Sequence, residues 1–87
     1  MTVYKIEYTN KSIKNLKKLD IKAKTDIIKA IENIPNGDIK AMKGYSDGRK
    51  RLRVGKYRVI YSIDNTNKLQ ILLVIDVGSR GDIYKRY

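Results

Sequence analysis

The chain has 87 residues with 20 Lys and Arg against 9 Asp and Glu, a formal net charge of +11, and neither histidine nor cysteine. That composition excludes a disulfide framework, a thiolate metal site and imidazole acid-base chemistry, leaving Tyr, Lys, Asp and Glu as the groups able to move protons. The length suits one domain over residues 1–87, and a small domain this basic attracts phosphate, whether in nucleic acid, an anionic membrane surface or an acidic protein segment.

In chain order, residues 3–8, VYKIEY, alternate with period two and predict a first strand. The same start lacks the apolar run of a signal peptide, and the longest apolar run, Ile71 to Ile75, is far too short to span a bilayer. A cytoplasmic location without membrane contact is therefore expected. Thr9 or Asn10 can cap a helix over Lys11 to Leu19, where Ile13, Leu16 and Leu19 recur every three positions. Asp20 is a good cap for a second helix, with Ala23, Ile27, Ala30, Ile31 and Ile34 at helical spacing and Pro35 and Gly37 to stop it. The two form a hairpin with an apolar stripe and a lysine-rich face, the latter read as a solvated surface.

Residues 36–48 are rich in Gly, Asn, Asp and Ser and read as a loop pinned to the core by Met42 and Tyr45. Lys50 to Val54, Tyr57 to Ile63 and Leu69 to Val77 then predict a three-strand meander, joined by Gly55-Lys56 and by residues 64–68. The last of these, LQILLVIDV, is apolar on both faces and belongs inside the sheet, with the first strand beside it. The expected fold is α+β: two layers in the order β-α-α-β-β-β, a helical hairpin on a mostly antiparallel four-stranded sheet.

A two-residue turn at Gly55-Lys56 sets Val54 opposite Tyr57, Arg53 opposite Arg58, Leu52 opposite Val59 and Arg51 opposite Ile60. Leu52, Val54, Tyr57, Val59, Tyr61 and Ile63 then line a core face, and Arg49, Arg51, Arg53 and Arg58 a cationic one. Charge used only for solubility explains such a face too, but this chain has fourteen lysines and six arginines and puts four of the six here. Arg offers a planar fork that binds phosphate through two hydrogen bonds, which Lys cannot. Arg80 and Tyr84, in VGSRGDIYKRY after the last strand, are placed to reach the same face, with Gly78 and Gly81 giving the backbone room. An Arg and a Tyr near a C-terminus are also ordinary surface residues.

The segments LRVGKYRVIYSID and VIDVGSRGDIY, in that order after a strand and a helical hairpin, resemble the RelE/ParE superfamily of bacterial toxins, and within it the RelE-like ribosome-dependent mRNA endonucleases. The resemblance covers nearly the whole chain. It implies a type II toxin-antitoxin toxin that cuts mRNA in the ribosomal A site, using the ribose 2′-OH to leave a cyclic phosphate and a 5′-hydroxyl. It also implies that neither a metal nor another cofactor is used, and that the partners are the ribosome, mRNA and a cognate antitoxin. Carried over by position, Arg58 and Arg80 grip the scissile phosphate, Arg49 and Arg51 neutralise it and its neighbours, and Tyr84 orients or deprotonates the 2′-OH or stacks on a base. Arg53 and Lys50 join Arg49 as RNA-binding residues. Arg51 stands where well-known members carry Lys, and an arginine is a poor general base. Ser79 stands where many members place a His before the Arg. A ParE-like gyrase poison and a non-catalytic RNA-binding relative are the competing expectations.

Overall fold

Thr9 opens the helical layer. Its extended backbone and its hydroxyl, which accepts from the Ser12 N–H, cap α1 (Asn10–Lys17) directly after strand β1 (Tyr4–Tyr8). Asp20 does the same for α2 (Ile21–Glu32) by accepting from the Ala23 N–H at 2.8 Å. The chain continues through β2 (Asp38–Ala41), β3 (Lys50–Val54), β4 (Tyr57–Asp64), β5 (Gln70–Ser79) and α3 (Arg80–Arg86). This computed structural model describes residues 4–64 and 70–87, so Val3, Leu69 and the expected turn over 65–68 lie outside the described residues.

The sheet has the order β1-β5-β4-β3-β2, with β1 parallel to β5 and every other pair antiparallel. The strand apolar on both faces is thus internal, with the first strand beside it, as its composition implies. Ile27, Ile31 and Ile34 of the second helical segment and Leu16 of α1 pack on Leu52, Val59, Tyr61, Leu72, Val74 and Val77. Each large aliphatic buried there contributes about 1.5–3 kcal/mol relative to exposure.

Among the described residues the sheet has five strands in place of the expected four. The fifth is β2, inside the stretch read as a loop, and it pairs Asp38 with Arg53, Ile39 with Leu52, Lys40 with Arg51 and Ala41 with Lys50. Only Ile39 of this four-residue edge strand packs on the core, so the sequence has too little alternation to reveal it. Ile13 also differs from expectation: it is exposed, and Ser12 is buried in its stead, its hydroxyl donating to the Thr9 carbonyl at 2.8 Å.

Strand β5 carries the device that separates the two faces. Its register against β4 steps from Tyr61–Val74 to Ile60–Asp76, leaving Ile75 as an extra residue. Leu72 and Val74 before the step and Val77 after it all pack in the core, while Asp76 and Gly78 lie opposite Ile60 and Arg58 on the other face. That second face is where α3 packs, through its one buried residue, Ile83.

Candidate nucleic-acid interface

The turn between β3 and β4 follows the register that the sequence predicts, with Arg53 paired to Arg58 and Val54 to Tyr57. Gly55 takes φ +57°, a conformation that L side chains rarely adopt, and so lets two residues reverse the chain. The carbonyls of Gly55 and Tyr57 accept from Arg58 Nη1 at 3.0 and 2.9 Å. The neighbouring Lys56 carbonyl accepts from the Arg80 N–H at 3.1 Å. Because Arg58 and Tyr57 pair with Gly78 and Ser79, the end of β5 delivers Arg80 to this turn. Ser79 then caps α3, its hydroxyl accepting from the Asp82 N–H at 3.2 Å.

Arg58 is only 7% exposed, unusual for a charged residue. Burial, and then the positive charges of Arg53, Arg51 and Arg80, push its pKa below the ordinary arginine value, while Tyr84 acts in the opposite direction. These are the residues singled out from the sequence, now acting on one another. Arg80 lies 5.6 Å from the centre of the Tyr84 ring, which is 61% exposed. Among the described residues, none of Arg51, Arg58 and Arg80 has a carboxylate partner, whereas Arg53 has only an exposed pair with Asp38 at 4.0 Å. Arg51 Nε is buried with no hydrogen-bond partner, at a cost of about 1–3 kcal/mol.

Beside the cluster, Arg51, Met42, Ile60, Ile83, Tyr84 and Tyr87 line a cleft of about 100 Å³ together with Lys40 and Ala41. Arg49 has partners of its own at the cleft's edge. Its Nε donates to Asp47 at 2.8 Å, and its guanidinium sits 4.6 Å from the centre of the Tyr45 ring and 5.8 Å from that of Tyr87. Tyr45 therefore serves Arg49 and Tyr87, with ring centres 6.2 Å apart, and is not a core anchor. Met42 reaches the cleft. Lys50 is exposed at the start of β3, but it pairs with Tyr61 and so lies on the face of Leu52 and Val54, opposite the arginines it was expected to join. Of the two glycines expected to give Arg80 room, Gly78 matters: a Cβ there would lie 2.8 Å from Arg86 Nη2. A Cβ at Gly81 would meet nothing within 4 Å.

Asp76 has no role in the sequence reading, yet it is fully buried on the site's side of β5. Burial alone would raise its pKa, but hydrogen bonds from Arg86 and Asn15 bring it below the usual carboxylate range. The available signal was a lone carboxylate in an apolar strand, which must find partners to be buried.

The family model for the ParE toxin of type II toxin-antitoxin systems matches residues 6–84. Among solved structures, the chain is similar to the RelB-RelE antitoxin-toxin complex from Methanococcus jannaschii, at 25% identity over 93% of this chain and 98% of that one, with a TM-score of 0.73. The RelE-RelB complex from Pyrococcus horikoshii OT3 shares the fold at 24% identity over 92% and 98% of the two chains, also with a TM-score of 0.73. A YoeB/ParE toxin from Agrobacterium tumefaciens shares it at 21% identity over 87% and 98%, with a TM-score of 0.65. Among curated proteins none matches.

Proposed function

The chain belongs to the ParE toxin family of type II toxin-antitoxin systems, within the RelE/ParE superfamily, and from that premise we propose that it is an endoribonuclease cutting mRNA in the ribosomal A site. The observation that carries this reading is Arg58: a buried cation ringed by Arg51, Arg53 and Arg80, without a carboxylate partner among the described residues. Such an arrangement opposes folding unless a ligand brings negative charge, and a phosphodiester brings it on two non-bridging oxygens that the planar guanidinium fork can bind through paired hydrogen bonds.

In the proposed reaction the ribose 2′-oxygen attacks the adjacent phosphorus in line with the departing 5′-oxygen. The 2′-O–P bond forms, the P–O5′ bond breaks, the 2′-OH proton leaves to a base and the 5′-oxygen takes up a proton. The products are a 2′,3′-cyclic phosphate and a 5′-hydroxyl. Negative charge grows on the non-bridging oxygens during the attack, and Arg58 and Arg80 stabilise it, with Arg51 adding to the field. The arginines thus supply the positive charge that this chemistry needs, and no metal enters the proposal. Tyr84, exposed beside Arg80, orients the 2′-OH or a neighbouring base. Arg53 and Arg49 hold flanking phosphates. A cognate antitoxin is the proposed regulatory partner, as the RelE of the archaeal complexes is bound by RelB.

The ParE name of the matching family model favours a second reading, poisoning of DNA gyrase on the same fold. One experiment separates the two: purified protein is offered programmed ribosomes in one tube and gyrase with relaxed plasmid in another. Cut mRNA with normal supercoiling supports the nuclease; intact mRNA with blocked supercoiling supports the gyrase poison.

A further inference from the structure

Helix α3 carries Arg80 and Tyr84 but has seven residues and a single buried side chain, too little to hold its place by packing or by intrinsic helicity. Its N-terminal end is tied to the β3–β4 turn through the Arg80 N–H. Its C-terminal end is tied to Asp76. Arg86 Nε donates to Asp76 Oδ2 at 2.8 Å. Asp76 is in turn fixed from the opposite side, its Oδ1 accepting from Asn15 Nδ2 and from the Val77 N–H, both at 2.8 Å. Lys11 Nζ lies 3.6 Å from Oδ2. These α1 residues reach Asp76 because β1 ends opposite Val74 and leaves that edge of β5 uncovered by a strand. Gly78 clears the path of Arg86 across β5.

We propose that Asp76 and Arg86 are positioning residues: the buried carboxylate and its guanidinium partner fix the angle at which α3 presents Arg80 and Tyr84 to Arg58. The functional part of this inference rests on the nuclease reading above. An ion pair with a buried carboxylate is a poor way to gain stability, since apolar residues of similar size commonly do as well. What it supplies is a directional, hydrogen-bonded register between a short helix and the sheet. A displacement of about 1 Å at reacting groups costs on the order of 100-fold in rate, so an anchor at the far end of α3 matters to chemistry it never touches.

The test uses the full chain with Arg86→Met, Arg86→Lys and Asp76→Asn, read by amide hydrogen exchange and by single-turnover cleavage on programmed ribosomes. The Arg86 side chain is one-third exposed, so Arg86→Met keeps the test intact if Asp76→Asn fails to fold. The expected result for Arg86→Met is exchange at Ile83, Tyr84 and Tyr87 at least about tenfold faster, with α2 and β4 unchanged. Cleavage rate falls roughly 10- to 100-fold at nearly constant KM, because the sheet arginines still bind RNA. Arg86→Lys recovers part of both losses. Unchanged exchange in α3, or kcat and KM falling together with no rescue by Lys, overturns the inference. If the wild-type protein cuts no mRNA, the nuclease reading fails by itself, and the exchange data still decide whether the anchor holds α3.

Discussion

Arg58 and Arg80 are held by one turn: Arg58 Nη1 donates to the carbonyls of Gly55 and Tyr57, and the backbone N–H of Arg80 donates to the carbonyl of Lys56 between them. Residues 22 apart in sequence thereby share a three-residue mount. Arg80 is exposed, so its side chain contributes little to stability. Arg80→Ala should lower cleavage by about 10²–10³-fold, the usual loss for one oxyanion-stabilising donor, while denaturant melts move by less than about 0.5 kcal/mol.

Arg58→Met should separate stability from activity. It removes a buried cation pressed by three like charges and leaves the turn carbonyls to water, so stability should hold or rise by up to about 2 kcal/mol. RNA cleavage should be lost. A fall in stability of more than about 2 kcal/mol would show that Arg58 is a structural residue.

Asp76 on the acid side and Tyr61 on the alkaline side, where Tyr8 and Tyr87 are also raised, tie the fold to pH. Asp76 has a lowered pKa, so its contribution is present above the ordinary carboxylate value of about 4 and is lost as pH falls below that through the lowered one. Burial, and then Tyr4, push the Tyr61 hydroxyl up to about 12. Its contribution is present below about 10, the free value, and is lost as pH rises from there through about 12. Urea melts across pH should show Asp76→Asn flattening the acid limb and Tyr61→Phe flattening the alkaline one.

Arg53 is exposed on β3 and is assigned to flanking phosphate. Arg53→Ala should reduce the slope of log affinity against log salt by about 0.7–1, without abolishing cleavage at saturating substrate. An unchanged slope would take Arg53 out of the contact.

The parts of this architecture legible in the sequence are those governed by local rules. Gly55-Lys56 sets the turn, the turn sets the register, and alternation then sorts Leu52 and Val59 from Arg53 and Arg58. Asp20 and Thr9 announce their helices by capping chemistry. Features built from few residues or from distant partners are not legible. Strand β2 has one inward side chain, Ile39, and α3 has one, Ile83, so neither leaves a period to count. The face of Asp76 depends on the extra residue Ile75, without which strict alternation would put Asp76 on the core face with Leu72 and Val74. Arg49 follows the alternation of β3 in sequence, but its contacts with the nearby Asp47 carboxylate and Tyr45 ring leave no such period to read.

The central claim is that one RNA phosphate completes the cationic cluster around Arg58 and is cleaved there. The most direct measurement is the chemistry of the ends made when wild type and Arg80→Ala act on the same programmed ribosomes. The account predicts a break within the A-site codon, a 2′,3′-cyclic phosphate on one fragment and a 5′-hydroxyl on the other, all strongly reduced with Arg80→Ala. Uncut mRNA, or cutting by Arg80→Ala at the wild-type rate, would contradict it.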